Sequence, residues 1–396
     1  MLHDTIHHKL LIGGEFLYAD SIPVNDGCAW DGNSYTPMML GNSNIRMSST
    51  MWNGYNVFAV DLIVRLFDST QSVAFNYPAL SGSSIEDIIN YNGELYIGGF
   101  FSTQNGTWGL AKWNGCDWQD VGGSINGPDS GYVQSLAIYN GDLIVAGTFN
   151  SIGGIAANHI ARWDGSQWHA MGGGVSGGAI NIQAMCVYNN ELYVTGYFTS
   201  ADGITCDGFA TWNGSVWSVP SPYSFIHAYD LKVYHDKLYI AGIISFPPGC
   251  GFASFDGNNF QAFNGQLGGH IYAMDTFDNY LYLGGAFDTM GGVYCNRIAR
   301  FSDDTLIDTT GISKNIDFTN EINIYPNPSS DKITIESTST ITEAELSDIT
   351  GRVMLRQKEN SSHHFSISIA QLQAGIYMLR IKTKDGVVVR KIVKGF

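Results

Sequence analysis

A phrase that returns every 38 to 50 residues constrains this chain more than any other feature. One copy reads Tyr139-Asn140-Gly141-Asp142-Leu143-Ile144-Val145-Ala146-Gly147. After a loop it continues as Ile160-Ala161-Arg162-Trp163-Asp164-Gly165-Ser166-Gln167-Trp168 and closes on Met171-Gly172-Gly173-Gly174. A copy before it runs Tyr91-Asn92-Gly93-Glu94-Leu95, then Leu110-Ala111-Lys112-Trp113-Asn114-Gly115. One after it runs Tyr188-Asn189-Asn190-Glu191-Leu192, then Trp212-Asn213-Gly214. Weaker copies centre on Trp30, Phe75, Phe255 and Phe301. With that aromatic as marker, the units fall at positions 30, 75, 113, 163, 212, 255 and 301. A period of this length is the signature of a repeat architecture, and each unit has room for the four strands of a propeller blade. Seven markers predict about seven blades.

Each unit carries two hairpin signals. Asn-Gly or Asp-Gly between apolar runs suits a type I′ turn, whose two central residues both need positive φ. Asn92-Gly93 and Asn140-Gly141 are expected to join a first strand to a second, and Asn114-Gly115, Asp164-Gly165, Asn213-Gly214 and Asp256-Gly257 a third to a fourth. The second strand ends on small residues: Gly13-Gly14, Gly98-Gly99, Ala146-Gly147, Thr195-Gly196, Ala241-Gly242 and Gly284-Gly285. Their size predicts close backbone approach, and the third-strand Trp or Phe is expected to fill the wedge between blades. Composition agrees, with 47 Gly, 21 Tyr, 21 Phe and 9 Trp against only 14% charged residues.

The charge is uneven. Residues 1–316 carry 10 Lys/Arg against 27 Asp/Glu, whereas residues 317–396 carry 10 against 9. An acidic propeller repels phosphate backbones, so nucleic acid is not an expected partner. Cys28, Cys116, Cys186, Cys206, Cys250 and Cys295 form no CxxC pair, which leaves zinc or thioredoxin-like chemistry without support; their even count permits disulfides without fixing a pairing. No run of eighteen apolar residues exists, so no transmembrane helix is expected. Residues 1–16 do not read as a signal peptide, because His3, Asp4, His7, His8 and Lys9 interrupt any apolar core.

The Gly-Gly strand followed by an aromatic strand resembles the kelch and galactose-oxidase type of propeller unit. The fuller phrase is similar to repeats of bacterial secreted propellers and fungal cortical-marker ectodomains. The resemblance covers residues 5–305 and implies architecture rather than activity. If both tight turns lie on one face of the disc, the longer connections lie on the other: 149–159, 198–208 and 287–296 within units, 172–180 and 220–226 between them. Loops on a rigid scaffold commonly carry binding, so Tyr18, Trp108, Asp202, Asp207 and Tyr294 are the candidate ligand contacts. The first unit opens at its second strand, residues 10–16, with a stub before it. That gap and the missing leader predict a truncated N-terminus, or a ring closed jointly by the stub and residues 305–308.

The expected division is a propeller over 1–305, a polar linker over 306–320 and a small β-sandwich over 321–396. Short strands are expected at 332–336, 343–348, 352–356, 364–369, 375–383 and 387–393. Four motifs stand in order: Tyr325-Pro326-Asn327-Pro328, Asp348-x-x-Gly351-Arg352, Leu372-x-x-Gly375-x-Tyr377 and Lys391-Ile392-Val393-Lys394. Together they resemble the type A sorting domain of the type IX secretion system, also called the Por secretion tail. What that resemblance implies is export across a Gram-negative outer membrane by the type IX machinery, to the cell surface or the medium.

Catalytic motifs are missing: the chain has no GxSxG, HExxH, P-loop or EF-hand loop. His7-His8 and His363-His364 are adjacent, and strand neighbours point to opposite faces, so each is a poor chelate. His159, His169, His227 and His270 are scattered. Glu86-Asp87 and Asp303-Asp304 read as solvated pairs. No catalytic residue, metal or cofactor is assigned. The expectation is an all-β, secreted or surface propeller that acts in adhesion or in binding an extracellular glycan or protein. The alternative is an extracellular carbohydrate-active enzyme with its site on the long-loop face.

Overall fold

A computed structural model describes residues 1–395 apart from 5–6, 15–17, 20–21, 25–26, 39–46, 61, 68–71, 76–79, 129–130, 179, 221–224, 226, 245–249, 264–266, 291–292, 296, 303–304, 309–321, 349–352 and 384–386. The chain divides into two compact units, Met1–Ser313 and Lys314–Phe396. The linker 306–320 lies mostly outside the described residues, as do Asp303-Asp304 and Gly351.

The first unit is an all-β propeller. Among the described residues, seven antiparallel meanders each take their four strands in sequence order, in four of them with one or two short strands inserted between the second and the third, and no α-helix is present. The fourth meander is typical: Val133–Tyr139, Asp142–Gly147, Ile160–Trp163 and Trp168–Ala170. The first strands of the seven are Leu2–Asp4, Met47–Trp52, Ser81–Tyr91, Val133–Tyr139, Asn181–Tyr188, His227–Tyr234 and Leu267–Phe277. Each packs beside the next, and Leu2–Asp4 packs beside both Leu267–Phe277 and Met47–Trp52, so the inner strands form a closed ring. The opening stub thus supplies the first strand of sheet 1, and Thr305–Asp308 is the fourth strand of sheet 7.

The turn chemistry divides in two. Asn92-Gly93 and Asn140-Gly141 have both φ positive, as type I′ demands. The third-to-fourth turns differ from the expected I′ form, since only the glycine is left-handed there, at +101° in Gly115, +97° in Gly165 and +99° in Gly214. The preceding Asn or Asp instead spends its side-chain oxygen on the turn. Asp164 Oδ1 accepts from Ser166 N and Gln167 N at 2.8 and 2.9 Å, and Asn114, Asn213, Asp256 and Asp31 do the same in their sheets.

Among the described side chains, the third-strand aromatics pack between sheets. Trp163 of sheet 4 shares a buried cluster with Tyr91 and Tyr96 of sheet 3, Trp212 one with Tyr139 and Ile144, and Phe301 one with Tyr234 and Tyr239. A fourth-strand partner meets it edge-on or tilted: Trp113–Trp118, Trp163–Trp168 and Trp212–Trp217 have centroids 5.3, 5.1 and 5.4 Å apart. One marker is corrected. Phe75 ends the fourth strand of sheet 2 (Ser72–Phe75), and the third strand is Ile63–Phe67. Phe67 pairs with Asn56 where Trp163 pairs with Leu143, so the polar Asn56 had hidden the repeat phrase.

In the second unit, two long strands, Lys332–Asp348 and Val353–Ser368, form a hairpin whose register breaks between Glu336 and Ile341. The break replaces the four short strands expected over 332–369. One half of the hairpin pairs with Ile322–Tyr325, the other with Gly375–Thr383 and through it Val387–Lys394. Both halves contribute to one core, with Ile333, Ile335 and Phe365 from one and Leu346, Leu379 and Ile381 from the other.

Candidate functional site

Two rings of blade-to-blade contacts organise the centre of the propeller. The lower ring lies at the tight-turn end, where the first strands of sheets 2 to 7 finish on an aromatic. Tyr139 Oη donates to Asn190 O at 2.9 Å, Tyr188 Oη to Asp236 O at 2.8 Å and Tyr234 Oη to Asn279 O at 2.8 Å, each on the first turn of the next sheet. Trp52 Nε1 to Gly93 O repeats the contact at 2.9 Å. These aromatics are therefore latches; in the sequence Tyr139 and Tyr188 stood only as members of the repeat phrase.

The upper ring uses polar side chains of the first strands. Asp87 accepts from Leu136 N of sheet 4 at 2.7 Å, Gln134 from Ile182 N of sheet 5 at 3.1 Å, and Asp230 from Met274 N of sheet 7 at 2.6 Å. Asp275 accepts from His3 N of sheet 1 at 2.8 Å and holds Lys232 of sheet 6 in an ion pair. Asp4 of sheet 1 accepts from the Asn56 amide of sheet 2 at 2.7 Å. Burial raises the Asp230 pKa, an effect the Met274 N–H only partly offsets. Burial opposes the charge on Lys232 too, but Asp275 outweighs it and holds the pKa up.

Next to this ring, and including its member Gln134, five consecutive first strands bulge at one equivalent position. The irregularities fall between Ile85 and Asp87, Val133 and Ser135, Ile182 and Ala184, Ala228 and Asp230, and Ile271 and Ala273. The extra residues are Glu86, Gln134, Gln183, Tyr229 and Tyr272, each five before the aromatic that ends its strand. The cause lies in the second strand. A Cβ on Gly99 would stand 2.3 Å from Ser84 O, on Gly147 2.0 Å from Tyr132 O, on Gly196 2.1 Å from Asn181 O and on Gly285 2.0 Å from His270 O. The glycine lets the bulged backbone press in. Bulges re-aim side chains and recur next to binding sites. Tyr272 is 50% exposed, and its ring meets that of Tyr229 edge-on at 5.3 Å. Sequence reasoning missed these five residues because their types differ from blade to blade; the small-residue pair opposite was the available signal.

The sequence-predicted contacts are scattered over several sheets. Trp108 begins the third strand of sheet 3, donates its indole N–H to Gly131 O and packs on Phe100 at 5.0 Å. Asp202 sits in a positive-φ turn (+49°) between the short strands Ser200–Ala201 and Ile204–Thr205, and Oδ1 accepts from Gly173 N at 2.7 Å. Its carboxylate ties that hairpin to the linker entering sheet 5. Asp207 is exposed, and its carbonyl accepts from Phe225 N. Tyr18 and Tyr294 fall in the strands Tyr18–Ala19 and Val293–Tyr294, with side chains outside the described residues. The connections 149–159 and 198–208 are thus hairpins, each paired to the preceding linker in a three-stranded sheet.

Of the histidine pairs, His7 Nδ1 meets Asp4 at 2.8 Å and His8 Nε2 meets Asp278 at 2.6 Å, so the two diverge. Cys28, Cys116, Cys186, Cys206 and Cys295 are free thiols; Cys250 has its side chain outside the described residues. Among the described residues no His, Cys, Asp and Glu cluster is arranged to hold a metal.

In the tail, the first and last motifs meet. Asn327 Oδ1 accepts from Val393 N at 2.8 Å, and Ser329 bridges Lys394, whose side chain is buried and donates to Gly395 O. Tyr325 donates to Glu336, and Pro326 and Pro328 both follow cis peptide bonds. Tyr377 is buried, with its hydroxyl on Gln373 O at 2.9 Å, closing the loop that Gly375 ends. Asp348 and Lys391 keep their backbone places in the long hairpin strand and the last strand.

Two family models match parts of the chain. Residues 323–395 match the secretion system C-terminal sorting domain, and residues 140–163 match a β-propeller domain of unknown function, DUF5122. No curated protein matches. Among solved structures, the extracellular domain of a hybrid two-component system from B. thetaiotaomicron aligns at 10% identity and a TM-score of 0.33, over 98% of this chain and 66% of its own length. The chain is a β-propeller followed by a sorting domain of the kind that directs export through the type IX system to the cell surface or the medium. No helix among the described residues is long and apolar enough to cross a membrane.

Proposed function

We infer that the protein is an exported binding module: a seven-bladed propeller over residues 1–305, joined through 306–320 to the sorting domain over 321–396. It serves adhesion or ligand recognition outside the cell, with its binding surface on the long-loop face. The observation that carries this reading is the sorting-domain match over residues 323–395, with its opening and closing motifs joined by the Asn327–Val393 bond. Binding is favoured over carbohydrate-active catalysis because the axial carboxylates Asp87, Asp230 and Asp275 hold backbone N–H groups of the neighbouring sheet. Trp108, Asp207, Tyr18 and Tyr294 remain proposed contacts; Asp202 has a structural duty besides.

The test is localisation of the protein in its native host, with and without residues 317–396. Surface or medium localisation that disappears with the tail supports the reading. Equal export of both forms, or retention of both inside the cell, refutes it.

A further inference from the structure

We propose that the crescent of bulged residues formed by Glu86, Gln183, Tyr229 and Tyr272 is the ligand site, and that it takes a neutral saccharide. The proposal rests on the exported-binding reading above and names its site and ligand class.

Three observations converge. The bulge recurs at one position in five adjacent sheets, so its residues form an arc one side chain wide along the inner rim. It lies in the early part of each first strand, away from the tight turn that ends it. That is the end where the long connections enter, continuous with the face that carries Asp207.

The second observation is the contrast with the rest of the repeat. The strand-ending aromatics and the glycines opposite the bulges recur because the ring requires them. The bulged residues do not share a type: a carboxylate, two amides and two tyrosines occupy one geometric slot. A slot held open by backbone geometry but filled differently in each blade is free to follow a ligand.

The third is the chemistry of the arc. Tyr272 is 50% exposed, with Tyr229 edge-on at 5.3 Å and His270 at 6.3 Å, an aromatic wall at one end. Half-buried Gln183 stands in the middle, next to Gln134, whose buried amide bridges Ile182 N and Tyr132 Oη. Glu86 closes the other end and accepts from Ser84 Oγ at 2.6 Å. Beneath the arc, Asp87 spends its oxygens on Ser48 and Leu136 N and Asp230 on Leu231 N and Met274 N, while Asp275 pairs with Lys232. An exposed aromatic face beside polar acceptors matches a pyranose, whose C–H face stacks on a ring and whose hydroxyls both donate and accept. An anionic ligand would face the carboxylates Glu86, Asp87 and Asp230, with Lys232 already paired to Asp275.

The experiment is calorimetric titration of the full chain with cellohexaose, xylohexaose, mannohexaose and chitohexaose. The variants are Tyr272→Ala and Tyr272→Phe, with thermal unfolding as the control. The expected result is binding of at least one hexasaccharide, weakened about tenfold or more in Tyr272→Ala, the loss of one stacked ring. Tyr272→Phe keeps the ring and stays within about threefold, and both variants unfold like the wild type, since the side chain is half exposed. Undiminished binding in Tyr272→Ala would place the site elsewhere and overturn the crescent while leaving the exported-binding reading intact. Failure of all four sugars to bind the wild type would overturn the saccharide assignment. The exported-binding reading falls separately, on the localisation of the tail-deleted protein.

Discussion

Asp4 shows how much one side chain holds in this ring. It is fully buried, and its carboxylate takes the His7 backbone N–H at 2.9 Å and the Asn56 amide at 2.7 Å. Burial opposes its ionisation, yet the bonds from His7 and Asn56 outweigh that cost and lower its pKa below the ordinary value. A carboxyl with a depressed folded pKa stabilises the fold above its unfolded pKa of about 3.9, and that stability is lost as pH falls through the folded value. Asp4→Asn is therefore expected to cost about 1.5–3 kcal/mol at neutral pH and to flatten the acid limb of the stability curve. Unfolding midpoints by circular dichroism at a series of pH values below 5 check this; parallel acid limbs in the two proteins would contradict it. Tyr188→Phe tests the lower ring. Losing the hydroxyl bond to Asp236 O is expected to cost about 1 kcal/mol in urea unfolding, and an unchanged midpoint would mean the latch contributes nothing. Neither role was legible in the sequence. Tyr188 showed only as a member of a repeat phrase, and Asp4 as one of several polar residues that spoil a leader peptide. Asp202 illustrates the converse: an acidic residue in a loop reads as a ligand contact, and here it anchors Gly173 N.

At the scale of strands and turns, the sequence was most legible where local chemistry decides the outcome. Asn140-Gly141 takes the left-handed pair that its residues favour, and Trp163 and Trp168 meet across the third hairpin as aromatic neighbours in a sheet do. It was least legible where one strand shapes another. The bulge at Gln134 has no signature in its own strand; it is permitted by Gly147, whose backbone lies against Tyr132 O. The hairpin at Gly153-Gly154 was equally unforeseen, although both residues are left-handed and the same small-residue turn reappears at Asp202-Gly203. These two kinds of glycine should respond differently to alanine. At Gly147 the obstacle is steric, a carbonyl 2.0 Å from the new Cβ, so Gly147→Ala is expected to cost about 1–3 kcal/mol and to disturb the rim. At Gly154 nothing lies within 4 Å but φ is +82°, so Gly154→Ala should cost about 1–2 kcal/mol through backbone strain alone. The test is chemical shift: Gly147→Ala should move amide resonances of residues 132–136, whereas Gly154→Ala should leave them in place.

For the propeller as a whole, the question is what closes the circle. Each meander takes all four strands from one stretch of chain, so no sheet is shared between the two ends of the unit. Closure depends on contacts from sheet to sheet, and Asp275 is the most connected of them. It receives His3 N from sheet 1 and pairs with Lys232 of sheet 6, while its own strand lies in sheet 7. One carboxylate thus joins three sheets at the seam. Removing it leaves Lys232 without its ion-pair partner beside Asp230, whose pKa is already raised by burial. The Lys232 side chain is 34% exposed and keeps Asp230 as a neighbour, which discounts the cost of a fully buried pair, so Asp275→Ala is expected to destabilise the propeller by about 1–3 kcal/mol. If the stranded ammonium is the main cost, Asp275→Ala combined with Lys232→Met should unfold at a higher midpoint than Asp275→Ala alone. If the bond to His3 N dominates instead, the second substitution will bring no recovery. Urea unfolding of the two single variants and the double variant completes a cycle that separates these cases. Recovery in the double variant would assign the seam to charge pairing; its absence would assign it to the hydrogen bond that draws the first strand into the ring.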